Sequence, residues 1–239
     1  ELVKFIKRNK IQVVHAHGNS ATLVIEMVAA WLGGCPKRLA HSHNTTCEQV
    51  KVDKLLRPIF NLFYTQAIAC GVEAGKWLFS SKQFTVIKNG REVVKYAFNK
   101  EKRNFIRSIL QIENKIVIGH VGNFLEQKNN ILVEIYHEIV KREPNCVLFM
   151  MGDGPLKHEI EERCIDISDH IVFTGKTDKV AELLNAMDGM LLPSLFEGFP
   201  LVVVEWQING LPCLLADTIT KESMLSRLVL FESLQNSAS

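Results

Sequence analysis

The sequence predicts an α/β fold of two doubly wound domains, each a parallel sheet with helices on both faces. Three observations carry it. Short apolar runs bounded by Gly, Pro and Asn alternate with segments of helical periodicity along the whole chain. Strand–helix units repeated in this way close as parallel sheets. The alternation is interrupted once, at Lys88-Asn89-Gly90, a turn signal followed by a charged stretch of little periodicity.

In order, a helix with Leu2, Phe5 and Ile6 on one side opens the chain. A strand over 11–17, a helix over 21–32 closed by Gly33-Gly34, and a strand over 38–41 running into His43-Asn44-Thr45 come next. A helix over 52–64, a strand over 67–70, a short helix over 74–79 and a strand over 84–87 complete the first half. The boundaries read 1–88 for a partial first domain, 89–100 for a link and 101–239 for a second domain, incomplete at its end. An ordinary strand-to-helix loop is the other reading of Asn89-Gly90.

The second half repeats the alternation: helix 102–110, strand 116–120, helix 131–141, strand 147–151, helix 156–164 and strand 171–173. Helix 179–187, strand 189–192, helix 201–209 and strand 212–215 follow, and 228–231 is a last candidate strand. Ligands of doubly wound sheets bind beyond the carboxyl ends of the strands. The strand-end loops are therefore where chemistry is expected.

Composition sets outer limits. At 239 residues the chain can bury one large core or two small ones, while two complete doubly wound domains need roughly 300, so a fragment is expected. With 28 basic against 26 acidic residues, bulk charge makes no case for nucleic acid. Six cysteines without a C-x-x-C pair read as reduced thiols of a cytoplasmic protein. No apolar run approaches the ~18 residues that cross a bilayer.

The most informative stretch is P-S-L-F-E-G-F-P-L-V-V-V-E-W-Q-I-N-G-L-P-C, from Pro193 to Cys213. It reads as loop then helix, with Pro200 suited to the helix start and Gly210-Leu211-Pro212 to its stop. Backbone N–H groups of Gly198, Phe199 and Leu201 then gather at the positive end of a helix, where hydroxyl oxygens and anions are attracted. Glu197 lies in the loop, and Glu205 interrupts an apolar run. A carboxylate there needs hydrogen bonds or a cation; a vicinal diol would satisfy it, and so would a polar helix face shared with Gln207 and Asn209.

This segment resembles the E-x7-E motif of family 4 retaining glycosyltransferases, which have the GT-B fold of two Rossmann-like domains facing a cleft. The E-G-F-P core and the downstream G-x-P are both present. The resemblance, covering nearly all of the chain, implies that Glu197 contacts the donor sugar, Glu205 the ribose, and the loop N–H groups of Gly198, Phe199, Pro200-Leu201 the sugar hydroxyls.

Two further strand-end loops belong beside it. Gly122-Asn123-Phe124-Leu125-Glu126-Gln127-Lys128-Asn129-Asn130 offers a small-residue turn and one cation, Lys128, suited to a diphosphate; alone, it also reads as a solvated lysine on a turn. The family usually has an arginine directly after this glycine, where this chain has Asn123. Gly152-Asp153-Gly154-Pro155 is a tight turn whose glycines permit positive φ and a close backbone approach to a ligand. The family commonly shows the same four residues there.

Two H-x-H pairs, His15/His17 and His41/His43, end strands, and alternate strand residues face one way. Each pair is able to chelate one ion. No H-E-x-x-H, C-x-x-C or nearby carboxylate adds ligands, so plain strand-end histidines are favoured and no metal site is assigned. Arg38 to Thr45 resembles a segment of exopolysaccharide and capsule glycosyltransferases of the same family, in which a strand-end histidine faces the donor sugar. His43 takes that role, with His41 as alternate, and His17-Gly18-Asn19-Ser20 the acceptor side.

The resemblance implies transfer of a sugar from a nucleotide sugar, a UDP-sugar ahead of a GDP-sugar, to a saccharide or lipid-linked acceptor in polysaccharide biosynthesis. Catalytic roles fall to His43, Glu197 and Lys128, with no obligatory metal and with peripheral contact at the inner membrane face. The alternatives are a nucleotide-sugar binding module or inactive relative, and a metal-dependent hydrolase built on the histidine pairs.

Overall fold

The computed structural model describes residues 1–195 and 197–236, the side chains of 126–130 and of 236 excepted. Contacts divide the chain into two compact units, Glu1–Asn89 and Gly90–Leu195 with Pro200 onward, and residues 197–199 group with the first.

The first unit runs α1 (Leu2–Arg8), β1 (Val13–Gly18), α2 (Val24–Leu32), β2 (Lys37–Ser42), α3 (Val50–Phe63), β3 (Gln66–Ala69), α4 (Val72–Phe79) and β4 (Thr85–Val86). Its four strands lie parallel in the order β1-β2-β3-β4. Met27, Ala40, Phe60, Leu78 and Phe79 form its buried centre. Asp53 is fully buried, yet both oxygens are used: Ala21 N–H donates to Oδ1 at 2.7 Å and Arg57 Nε to Oδ2 at 2.6 Å. That pairing is what makes a carboxylate tolerable inside.

The second unit contains α5 (Val93–Tyr96), α6 (Lys100–Ile109), β5 (Ile116–Val121), α7 (Glu126–Arg142), β6 (Cys146–Met151) and α8 (Lys157–Arg163). It continues with β7 (Ile171–Gly175), α9 (Val180–Leu183), β8 (Gly189–Leu192), α10 (Leu201–Asn209), β9 (Cys213–Ala216) and β10 (Val229–Glu232). The parallel order is β10-β9-β8-β5-β6-β7. Every residue of β6 is buried: Val147, Phe149 and Met151 join one core cluster, while Cys146, Leu148 and Met150 join the other. A strand covered on both faces needs a continuous apolar run, which is how C-V-L-F-M-M reads.

Both sheets are parallel and flanked by helices, as the alternation predicted. Three local expectations differ. Helix α7 begins at Glu126, ahead of the expected 131, because its polar first turn carries no apolar periodicity. The stretch after Gly90 is not structureless but holds the one-turn helix α5. In α1 only Ile6 is buried, with Leu2 and Phe5 exposed.

Candidate active site

Strands of the second unit run from β5 to β6 and β7 on one side and through β8, β9 and β10 on the other. The order thus reverses between β5 and β8, the kind of position where open α/β sheets bind ligands. Loops leaving the carboxyl ends of β8, β5 and β6 are neighbours there.

The β5 and β6 loops are locked together by their backbones. Gly122 N–H donates to Met151 O at 3.0 Å, Phe124 N–H to Asp153 O at 3.0 Å and Leu156 N–H to Phe124 O at 3.3 Å. Gly152 has φ +149°, and a Cβ there would lie 1.9 Å from Gly122 O; one at Gly154 would lie 2.6 Å from Phe124 N. The close approach expected of these glycines is thus to the adjoining loop. Asn123, between Gly122 and Phe124, is exposed.

Two helices start at this edge, and neither cap residue, Leu125 of α7 nor Pro200 of α10, has a side-chain acceptor for the first N–H groups. Lys128 lies in the first turn of α7 rather than in the loop, and its side chain is outside the described residues. Gly210 ends α10 in the left-handed region, φ +86°, as its position predicted.

Glu205 is 5% exposed. Of the two sequence readings, the polar helix face is not realised: the carboxylate points inward and meets a cation. Arg91 Nε donates to its Oε1 at 2.5 Å. Burial, and then a hydrogen bond to Glu205, push the Tyr96 phenol up, while Asn209 Nδ2 donates to Tyr96 O at 3.0 Å and fastens α5 to α10. Sequence reading missed Arg91, whose stretch R-E-V-V-K had the look of a solvated link.

Glu197 is half-buried and Gly198, Phe199 and Pro200 are buried, with Leu201 half-buried. Within the first unit's grouping, Glu197 O accepts from Thr45 Oγ1 at 3.3 Å, and a Cβ at Gly198 would lie 2.3 Å from His43 O. Glu205 belongs to the second unit.

The two H-x-H pairs form one cluster. Register sets His17 of β1 beside His41 of β2, so all four rings share a face. His15 Nε2 lies 3.2 Å from His41 Nδ1, and His17 Nδ1 lies 2.8 Å from His43 Nε2. Burial, then the neighbouring rings His43, His17 and His15, depress His41 to about 4. Burial with neighbouring rings also lowers His15 and His43. A second proton in such a group is repelled by the first.

The β5, β6 and β8 loops and the starts of α7 and α10 thus gather at one strand-end edge of the second unit. Residues 115–228 match the profile described as Glycosyl transferases group 1. Over these residues the chain is similar to the glycosyl transferases group 1 family.

A Bacillus subtilis (strain 168) relative, EpsF, whose name assigns it provisionally to the glycosyltransferases, is 34% identical over 233 residues, 91% of this chain and 60% of its own. The Escherichia coli UDP-Gal:alpha-D-GlcNAc-diphosphoundecaprenol alpha-1,3-galactosyltransferase is 28% identical, covering 90% of this chain and 60% of its own. The chain thus spans about 60% of the length of these relatives. Among solved structures, Anabaena HepE in complex with UDP-glucose matches 99% of this chain and 69% of its own with a TM-score of 0.83 at 17% identity. TarM matches 99% and 48% with a TM-score of 0.75 at 14%. At that identity the likeness is one of fold, and it is the GT-B class that the glycosyltransferase motif implied.

Proposed function

We propose that this chain is part of a glycosyltransferase that carries out retaining transfer of a sugar from a nucleotide sugar to a saccharide or lipid-linked acceptor during polysaccharide biosynthesis. The observation that carries the reading is the edge at the β5/β8 switch point, where interlocked glycine loops meet two helix starts without side-chain caps. Such an edge suits a diphosphate. The name of the Escherichia coli relative specifies a UDP-sugar donor and a diphosphoundecaprenol acceptor, and HepE was crystallised with UDP and UDP-glucose. A UDP-sugar therefore stands ahead of a GDP-sugar.

In this scheme the acceptor hydroxyl oxygen bonds to the anomeric carbon on the face that the diphosphate leaves. The carbon–oxygen bond to the diphosphate breaks, its electrons pass to the phosphate oxygen, and that oxygen takes the hydroxyl proton. The Asn123 N–H, the start of α7 and Lys128 stabilise the charge that develops on the leaving group. Glu205, oriented by Arg91, takes the ribose; Glu197 with the Gly198-Phe199-Pro200 loop, and His43, are assigned to the sugar. No resident metal is required for these roles.

Asn123, standing where the family usually has an arginine, favours a second reading, in which the chain binds the nucleotide without turnover. Calorimetry with UDP and GDP beside an assay of sugar release from UDP-sugars separates the two. Binding with release supports transfer, binding alone supports the second reading, and absence of both contradicts the nucleotide-sugar site. A working position at the inner membrane face fits a lipid-linked acceptor, and no helix among the described residues is long and apolar enough to cross a membrane.

A further inference from the structure

The histidine cluster holds more ligating capacity than the transfer scheme uses. Only His43 is assigned a role there, yet the ligating nitrogens of His15, His17 and His41 all lie within 4.8 Å of one another. Ligands of a tetrahedral zinc ion, each at 2.0–2.1 Å, stand roughly 3.3 Å apart. His15 Nε2 and His41 Nδ1 are already 3.2 Å apart, and small turns of the other ring close the set.

We propose that His15, His17 and His41 bind one divalent transition-metal cation of the zinc class. Three imidazoles with a fourth position open is a recurrent donor set for this ion. The rigidity comes from backbone pairing, since β1 and β2 are hydrogen-bonded over six registered positions and hold the three Cα atoms in place. His41 is 5% exposed and its Nε2 has no hydrogen-bond partner. The ring therefore engages the protein through one nitrogen only, and coordination through either nitrogen disturbs at most one hydrogen bond. His17 Nδ1 contacts His43 Nε2 at 2.8 Å, which leaves Nε2 of His17 for the metal while the other nitrogen is oriented by a neighbour.

The site goes beyond the transferase reading and does not depend on it. The test uses chelator-treated protein with no nucleotide present, titrated with zinc chloride by calorimetry and with cobalt chloride by visible absorption. One zinc per chain and the intense bands of four-coordinate cobalt are expected. His15→Ala and His17→Ala, both at exposed positions where folding is not threatened, each lower zinc affinity about tenfold or more. His158→Ala, on α8, leaves it unchanged. Failure of the unaltered protein to take up one equivalent, a six-coordinate cobalt spectrum, or undiminished uptake by the His15→Ala/His17→Ala double variant overturns the site. Far-UV circular dichroism melts confirm that each variant is folded.

Discussion

Arg91 Nε stands 2.5 Å from Glu205 Oε1, joining the segment that follows Gly90 to the middle of helix α10. The two partners are unequal, since the arginine side chain is 34% exposed and the glutamate side chain 7%. Removing the outer partner strands a buried charge, whereas removing the inner one leaves a guanidinium that water can reach. Arg91→Ala should therefore cost about 2–3 kcal/mol, roughly 4–12 °C in melting temperature, and Glu205→Gln less. Thermal melts of both variants decide it; a larger loss for Glu205→Gln would contradict the polarity of the pair.

Backbone packing, rather than ligand contact, explains Gly152 and Gly154. A methyl at either meets fixed main-chain atoms of the facing loop, and Gly152 also has a φ of +149°. Each alanine variant should lose about 3 kcal/mol or more, as overpacking and strain combine. Gly90→Ala, where a Cβ meets nothing within 4 Å, should be nearly neutral. Urea denaturation compares the three, and tolerance of Gly152→Ala would mean that the loops are not locked as described.

Asp188 accepts from the Val117 N–H at 2.8 Å, Arg103 at 2.5 Å and Arg107 at 3.1 Å. Burial opposes its charge, but the Val117 N–H and the two guanidinium groups outweigh burial and hold the carboxyl below the usual range. A depressed folded-state value contributes stability above the unfolded value near 3.9, and that contribution is lost as pH falls through the folded one. Asp188→Asn should accordingly be far less stable than the unaltered protein at pH 7, with the gap narrowing below about pH 4. A gap independent of pH would rule out the ionic origin.

His137 behaves with the opposite sign. Its Nε2 is 2.9 Å from Asp166 Oδ1, and that hydrogen bond, followed by one to Val133 O, raises its proton affinity. Its stabilising contribution is full below the unfolded value of about 6.5 and is lost as pH rises through the folded value. Proton NMR should show His137 titrating above the ordinary histidine range, and Asp166→Asn should bring it back down. An unchanged midpoint in that variant would refute the pairing.

Much of the fold could be read from periodicity, and the reasons are local. The run M-L-L before Pro193 and the Gly210-Leu211-Pro212 stop delimited β8 and α10, because a proline and a left-handed glycine act on the backbone directly. Alternation placed His15 with His17 and His41 with His43, but only the register between β1 and β2, which no single-strand pattern encodes, brings the pairs together. Arg91 was hidden for a similar reason. A charged residue near a chain turn looks solvated unless its distant partner is known, and Glu205 lies far along the sequence. The start of α7 was missed because Glu126-Gln127-Lys128 carries helix propensity without an apolar face to announce it.

Sugar release from a UDP-sugar by the Glu197→Gln variant, beside an exposed-surface control, Lys141→Ala on the last turn of α7, is the most direct test of the proposed transfer. If the Glu197 carboxylate holds the donor sugar as charge develops, its loss lowers turnover about 100-fold or more, while the control stays within about twofold. Equal turnover by the two variants would contradict the role of Glu197 and, with it, the assignment of the donor site.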